Sequence, residues 1–241
     1  MEAKRRVVRG RSLVMSGLAV LAALSFAVAP AAARPGDDGP GRGRADVFAP
    51  DARPFGQTYA EWSIEWWTWA LQNGEASFAD TTGANCALGQ SERRVWFLAG
   101  SFSSDPVTRN CTVTDDMALL FPVVNSGYFG FPTDPPEQQT DEFARVSALA
   151  GLADRELLEP TLHASIDGEP VRDLASFFVE SGPFSVKLPS DNFFGFPSPL
   201  KPSADAGYYL MVKKLHRGEH TIHFRAPGRI DVTVHLNVLH H

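Results

Sequence analysis

Acidic side chains are the residues of this 241-residue chain whose type and spacing could support hydrolytic chemistry. The candidates are the pair Asp115-Asp116, the pair Glu61 and Glu65, and Asp191. Glycoside hydrolysis needs two carboxyl groups held about 5–10 Å apart, one acting as acid and the other as base or nucleophile. The sequence does not show that any two of these residues converge. A carboxylate-dependent extracellular hydrolase is therefore an alternative function, and we assign no catalytic residue.

Three histidines near the C-terminus could suggest a metal site. His220, His223 and His235 lie in segments that alternate between apolar and polar residues, which is typical of strands. His220 shares the parity of the apolar residues and should point inward, whereas His223 and His235 should point outward as diagonal neighbours at best. Two ligands do not make a zinc site, so we predict no metal. No phosphate-binding loop, dinucleotide fingerprint or nucleophile elbow occurs either, and we predict no cofactor.

The N-terminus has the pattern of an export signal. A basic start is followed by an apolar run over residues 13–29 and by three alanines at 31–33, so residues 1–33 are predicted to be a cleaved signal peptide. Residues 34–54 are rich in Pro, Gly and charge, which predicts a flexible leader. Residues 55–241 are then one domain. We expect a secreted protein, extracellular or in the periplasm or cell envelope, with no membrane span after processing.

Charge and cysteine content narrow the choice of partners. Without residues 1–33 the chain has 17 Lys and Arg against 27 Asp and Glu, a formal net charge of −10. An acidic protein gains nothing from phosphate contacts, so nucleic acid is excluded as a partner. The two cysteines, Cys86 and Cys111, should form a disulfide in an oxidising compartment. The alternative, a metal-binding or nucleophilic thiol, lacks a nearby histidine in the sequence.

The segment EWSIEWWTWA, residues 61–70, contains four of the five tryptophans. Thr58 and Glu61 match a capping box, so a helix is predicted from about residue 58 to residue 73. Glu61, Glu65 and Thr68 occupy one narrow side of this helix, and the aromatic residues form a wide apolar arc around the rest. Such a wide arc favours a helix covered by protein. We interpret the tryptophans as a core plug rather than as a ligand platform.

The remaining pattern is mainly β. Strands are predicted at 94–102, 111–113, 117–124, 162–166, 169–171, 176–179, 184–188, 207–215, 220–225 and 230–238. Asp167-Gly168 predicts a tight hairpin turn. A helical insertion is expected near 140–158, broken at Gly151. The predicted fold is a β-sandwich, either immunoglobulin-like or a jelly roll, with the Trp-rich helix at its N-terminus.

Two segments repeat each other: residues 128–133 read YFGFPT and residues 193–198 read FFGFPS. One interpretation is a pair of neighbouring aromatic loops that bind a ligand, since aromatic residues on rigid loops bind at low entropy cost. The other is two strand-to-loop corners, each covering its own phenylalanine. If the protein binds a ligand, the candidate residues are Tyr128, Phe129, Phe131, Phe193, Phe194 and Phe196.

Several motifs together resemble an uncharacterised family of bacterial secreted proteins. They are the Tyr-Ala-Glu-Trp-Ser and Trp-Trp-x-Trp segments from Tyr59 to Trp69, the two cysteines, and the C-terminal Gly-x-His-Thr-Ile-His-Phe strand from Gly218 to Phe224. The resemblance covers roughly residues 55–238 and implies a shared fold and export, but no chemistry. The closing segment also resembles the last hairpin of immunoglobulin-like modules. The expected function is non-catalytic binding of a cell-envelope or environmental ligand, with a glycan as the candidate; a structural envelope protein is a further alternative.

Overall fold

The computed structural model describes residues 46–90 and 94–241. The predicted signal peptide and residues 34–45 of the predicted leader lie outside the described residues. Residues 46–54 lie against the domain: Val47 forms a β-bridge with Val212, and the Phe48 amide donates to the Met211 carbonyl at 2.9 Å. The described chain therefore joins the domain before residue 55.

The protein is mainly β and contains two mixed five-stranded sheets. The first sheet has the order β1 (Val95–Phe97), β3 (Ala118–Phe129), β8 (Leu200–Val212) and β6 (Phe178–Glu180), with β7 (Phe184–Val186) also paired to β8. The second has the order β2 (Val107–Thr114), β10 (Ile230–Leu239), β9 (Gly218–Ala226), β4 (His163–Ile166) and β5 (Glu169–Pro170). The β1–β3 and β2–β10 pairs are parallel, and the other pairs are antiparallel.

Three α-helices accompany the sheets in the described residues: α1 (Tyr59–Gln72), α2 (Asp141–Gly151) and α3 (Arg155–Leu158). The capping box of α1 is present, because the Thr58 hydroxyl accepts from the Glu61 amide and the Glu61 carboxylate accepts from the Thr58 amide. The helical insertion near 140–158 is confirmed as α2 and α3. Short helical turns occupy Pro54–Gly56, Glu75–Ala79, Pro136–Gln138, Glu159–Thr161 and Leu174–Phe177.

The alternation of buried and exposed residues along the strands agrees with the alternation of apolar and polar residues in the sequence. From Ile230 to Val238 of β10 the apolar residues are buried and the residues between them are at least partly exposed. The rings of Phe121 in β3 and Phe224 in β9 stack at 4.7 Å, which brings the two sheets into contact. The Asp167-Gly168 turn between β4 and β5 has positive φ at both residues, as this type of hairpin turn requires.

Several predicted strand boundaries are wrong. Strand β1 ends at Phe97 rather than at residue 102, because the Ala99 and Gly100 carbonyls accept hydrogen bonds from the Arg109 guanidinium instead of from a strand. Strand β3 continues to Phe129 and so includes Tyr128, which the sequence assigned to a loop. Strand β8 begins at Leu200 rather than at residue 207.

The predicted disulfide between Cys86 and Cys111 is present, with the two Cα atoms 5.8 Å apart. It joins the loop after α1 to β2. Within the described residues, no helix has the length and apolar character needed to cross a membrane.

Candidate functional site: an aromatic cavity beside the tryptophan helix

The tryptophans of α1 are buried, as the core-plug interpretation predicts. Each indole N–H also has an acceptor in another part of the chain. Trp62 donates to the Pro54 carbonyl at 3.0 Å, Trp66 to the Leu98 carbonyl at 3.0 Å, and Trp69 to the Leu88 carbonyl at 3.1 Å. Trp67 donates to the Asp205 carboxyl at 2.6 Å. The helix therefore holds four separate segments in place through its indole groups.

Two of these tryptophans also border a cavity of about 410 Å³. This volume is within the range of about 300–1,000 Å³ that is usual for small-molecule sites. Its lining includes seven aromatic side chains: Trp66, Trp67, Phe78, Phe102, Phe129, Phe194 and Phe196. None of the described residues that line it carries a charge. We call this feature the aromatic cavity.

The phenylalanines of the aromatic cavity form a continuous wall. The rings of Phe78 and Phe102 stack at 4.2 Å with an interplanar angle of 12°, and Phe78 contacts Phe194 edge-on at 5.3 Å. Phe194 in turn stacks on Phe196 at 5.0 Å. Phe102 is 70% exposed, so this wall reaches the surface.

The structure brings the two repeated aromatic segments together. The rings of Phe131 and Phe196 are 5.2 Å apart. Of the six candidate ligand residues, Phe129, Phe194 and Phe196 line the aromatic cavity. Phe129 also packs on Trp67, with ring centroids 4.8 Å apart.

The other three candidate residues do not line the cavity. Phe131 supports Phe196, whereas the Tyr128 ring packs against Phe143 of α2. Phe193 is half exposed and lies over Gly74, where a Cβ atom would come within 2.6 Å of it. The Phe193 ring contacts the Phe194 ring edge-on at 5.0 Å but does not itself line the cavity, so variants of these two residues separate the lining ring from the ring outside it.

A buried hydrogen-bond chain stands behind the aromatic cavity. The Asn125 amide donates to the Tyr209 hydroxyl at 2.8 Å, and Tyr209 donates to the Asp205 carboxyl at 2.9 Å. Burial raises the pKa of Asp205 to about 7, although hydrogen bonds from Trp67, Ser63 and Tyr209 act to lower it. Burial also raises the pKa of Tyr209 well above its usual value, so Tyr209 stays protonated. Asn125 is the member of the chain that lines the cavity.

Arg109 fixes the two segments that carry the outer phenylalanines. Its buried guanidinium donates to the Asp80 carbonyl at 2.8 Å, close to Phe78, and to the Ala99 and Gly100 carbonyls at 2.9 and 2.8 Å, close to Phe102. Burial lowers the pKa of Arg109, and the nearby Asp80 raises it. Arg109 lies in β2, two residues before Cys111, so the disulfide reinforces the same region.

The carboxylates considered for hydrolysis lie elsewhere. Asp115 is at the far end of β10, where its amide donates to the Leu239 carbonyl, whereas the aromatic cavity touches Ile230 at the start of this strand. A ten-residue strand is about 30 Å long. Arg217 binds the Asp115 carboxylate at 2.8 Å and lowers the pKa of Asp115 to about 2. Asp116 accepts from the Thr114 hydroxyl.

The three other carboxylates considered for hydrolysis also lie outside the aromatic cavity. Glu61 caps α1, and Glu65 accepts from the Gln57 amide at 2.7 Å. Asp191 is exposed in the turn before Phe193 and does not line the aromatic cavity.

The histidines follow the predicted geometry. His220 is buried and contacts Asp167 at 2.7 Å, while His223 and His235 face outward and contact Asp231 and Thr221. His223 pairs with Thr233 in the register of β9 and β10, so His235 is its diagonal neighbour. Among the described residues, no cluster of three or more His, Cys, Asp or Glu side chains could hold a metal ion.

A larger surface groove of about 880 Å³ runs along residues 46–50 and 169–177. Its rim is charged, with Asp46, Glu169, Arg172 and Asp173, and Phe177 is the one aromatic side chain among its described lining residues. It lacks the convergent aromatic wall and the polar end group of the aromatic cavity. We therefore take the aromatic cavity as the candidate functional site.

The sequence did not indicate Phe78, Phe102, Asn125 or Asp205 as site residues. The single aspartate just before the apolar run of β8 is a sequence signal that could have drawn attention to Asp205, whereas the exposure of Phe102 is visible only in the structure. Comparisons with protein-family models, with curated proteins and with solved structures each found no match to this chain.

Proposed function

We propose that this protein is a secreted, non-catalytic binding domain whose ligand occupies the aromatic cavity. The observation that carries the proposal is the convergence of seven aromatic side chains and the Asn125 amide on one uncharged cavity of about 410 Å³. Apolar pockets with a few convergent polar groups are the usual form of small-molecule sites. The disulfide supports the export part of the proposal, since disulfides persist in oxidising compartments. We further propose that the two sheets form a sandwich, of immunoglobulin-like or jelly-roll type.

The alternatives have less support. A hydrolase that uses Asp115, Asp116 or Asp191 would need two of them in one cleft, and none of the three lines the aromatic cavity. A purely structural envelope protein has no need of a cavity lined by aromatic side chains. A glycan is neutral and fits the absence of charge, so it remains the ligand candidate from the sequence.

The proposal is tested by titrating the protein with neutral probes and following tryptophan emission, because Trp66 and Trp67 border the cavity. The probes are cellohexaose, chitohexaose and 2-naphthol. We expect saturable binding of at least one probe. Phe194→Ala should weaken that binding at least tenfold, because it removes a stacking ring from the wall. The matched control, Phe193→Ala, should change the affinity less than twofold. Absence of saturation with all three probes, or equal effects of the two variants, would overturn the proposal.

A further inference from the structure

The hydrogen-bond chain behind the aromatic cavity has a fixed direction when Asp205 is ionised, because a carboxylate only accepts hydrogen bonds. An indole N–H can only donate, so the Asp205 Oδ1 atom accepts from Trp67. The same oxygen lies 2.9 Å from the Tyr209 hydroxyl, which donates its proton to it. The Tyr209 oxygen is then the acceptor for the Asn125 Nδ2 group at 2.8 Å. The direction of these hydrogen bonds therefore makes Nδ2 the atom of the Asn125 amide that is bound to Tyr209.

This direction decides what Asn125 offers to a ligand. Because Nδ2 is held by Tyr209, the Asn125 carbonyl oxygen Oδ1 has no hydrogen-bond partner among the residues that the structure describes. Asn125 is only partly buried and lines the aromatic cavity. The cavity thus presents a preorganised acceptor to a ligand that carries a donor.

The rest of the lining limits how polar that ligand is. Ser101 Oγ already bonds to the Ser103 backbone, which leaves Ser126 as the other hydroxyl in the described lining. A buried sugar ring would bring several hydroxyl groups, and most of them would lose their water without gaining a partner. A carboxylate or an ammonium group would be desolvated with no opposite charge among the lining residues that the structure describes.

We propose that the aromatic cavity selects a neutral aromatic alcohol, whose ring stacks against the phenylalanine wall and whose hydroxyl donates to Asn125 Oδ1. This inference rests on the proposed function of the cavity as a binding site and replaces the glycan candidate with another ligand class. Asn125 is the specificity-determining residue, and Tyr209 is a positioning residue that acts through it. The ring provides most of the contact area, and the hydroxyl distinguishes the ligand from an apolar ring of the same shape.

Three naphthalene derivatives test this assignment on the unmodified protein at pH 8, above the Asp205 pKa of about 7, so that Asp205 is ionised and only accepts hydrogen bonds. We expect 2-naphthol to bind five to ten times more tightly than 2-methoxynaphthalene, which has the same ring but no donor. The anion 2-naphthoate should bind at least a hundredfold more weakly than 2-naphthol. Equal affinity of the first two compounds, or preferred binding of the anion, would overturn the inference.

Two variants test which residues cause the preference for 2-naphthol over 2-methoxynaphthalene. Asn125→Leu should bring the ratio of the 2-naphthol and 2-methoxynaphthalene affinities close to one while 2-methoxynaphthalene still binds. Tyr209→Phe, which removes one buried hydroxyl, should lower the same ratio at least threefold, because Asn125 is no longer oriented. A purely structural role for Tyr209 would change both affinities equally and would contradict its assignment as a positioning residue.

The outcomes separate this inference from the proposed function. If cellohexaose or chitohexaose binds with dependence on Phe194 and 2-naphthol does not, the cavity is a binding site for another ligand class and only the present inference fails. If Phe194→Ala and Phe193→Ala have equal effects on every probe, the proposed function fails as well.

Discussion

The indole N–H of Trp67 donates a hydrogen bond of 2.6 Å to the carboxyl of Asp205, and the side chains of both residues are buried. This bond joins α1 to β8 across 138 positions of sequence. It connects the buried tryptophans of α1 with the hydrogen-bond chain that runs from Asp205 through Tyr209 to Asn125 in the aromatic cavity. Packing of the core and orientation of the proposed ligand-binding group therefore depend on the same contact.

Asp205 should make the stability of the protein depend on pH in an unusual direction. Its pKa is raised from 3.8 to about 7 in the folded protein, so the folded state binds the proton more tightly than the unfolded state. The contribution is fully present below pH 3.8 and is lost as the pH rises to about 7. Between about pH 5 and 6 we expect the Asp205 contribution to the free energy of unfolding to fall by about 1.4 kcal/mol per pH unit, with a smaller slope near pH 7.

Denaturant titrations at several pH values check this dependence against the variant Asp205→Asn. Asparagine keeps an oxygen acceptor for Trp67 and Tyr209 but does not titrate, so the difference between the two profiles isolates Asp205. His163, whose pKa is lowered by burial, also titrates in this range but contributes equally to both proteins. Asp115, with its pKa lowered to about 2, titrates below this window and does not disturb the comparison. Parallel profiles for the two proteins would show that Asp205 is ionised throughout.

Trp67→Phe should remove one donor from the buried carboxyl of Asp205. We expect a loss of about 1–3 kcal/mol in the free energy of unfolding, because the buried carboxyl keeps Tyr209 as a donor but loses the hydrogen bond from Trp67. The midpoint of the pH-dependent loss of stability should also move upward, because the hydrogen bond from Trp67 lowers the pKa of Asp205. Trp62→Phe is the control: it loses a bond to the Pro54 carbonyl and should leave that midpoint unchanged.

The disulfide should stabilise the protein mainly by restricting the unfolded chain. Its two cysteines are 25 positions apart, which corresponds to about 3 kcal/mol in the loop-entropy model. Replacing Cys86 and Cys111 together with serine should reduce the free energy of unfolding by that amount, as measured by urea denaturation. A loss below about 1 kcal/mol would mean that the unfolded chain is already restricted in this region.

Arg109→Met should loosen the outer wall of the aromatic cavity. Three buried carbonyls would lose their donor, and we expect the free energy of unfolding to fall by at least about 2 kcal/mol. Phe78 and Phe102 would no longer be held together, so 2-naphthol should bind less tightly. Isothermal titration calorimetry measures this affinity, with Arg225→Met, on the exposed face of β9, as the control. Unchanged affinity in a folded Arg109→Met protein would show that ligand binding does not depend on the hydrogen bonds of Arg109.

The sequence predicted the local elements much better than the site. The capping box and the apolar arc predict α1. One of the two interpretations of the repeated FGFP segments places them side by side, and Phe131 and Phe196 are in contact. The cavity itself depends on contacts between distant segments. Phe78 and Phe102 meet only because Arg109 binds the backbone beside each of them, and no local pattern indicates this arrangement.

Asp205 was missed for a different reason. It lies in the segment SADAG of β8, whose small and polar residues have low strand propensity, so the predicted strand began two residues later. Tertiary packing overrides this propensity because β8 pairs with β3 along its length and is buried from residue 203 onward. A buried aspartate in a central strand can be recognised only once the strand has been located.

The most direct test of the aromatic cavity as the ligand site is a ¹H–¹⁵N correlation spectrum recorded during a titration with 2-naphthol. We expect the Asn125 side-chain amide and the Trp66 and Trp67 indole resonances to shift together and to saturate at one concentration. The side-chain amide of Asn237, exposed on β10, should stay in place. Shifts that saturate elsewhere while the Asn125 and tryptophan signals remain fixed would contradict the account, because the ligand would then occupy a different surface.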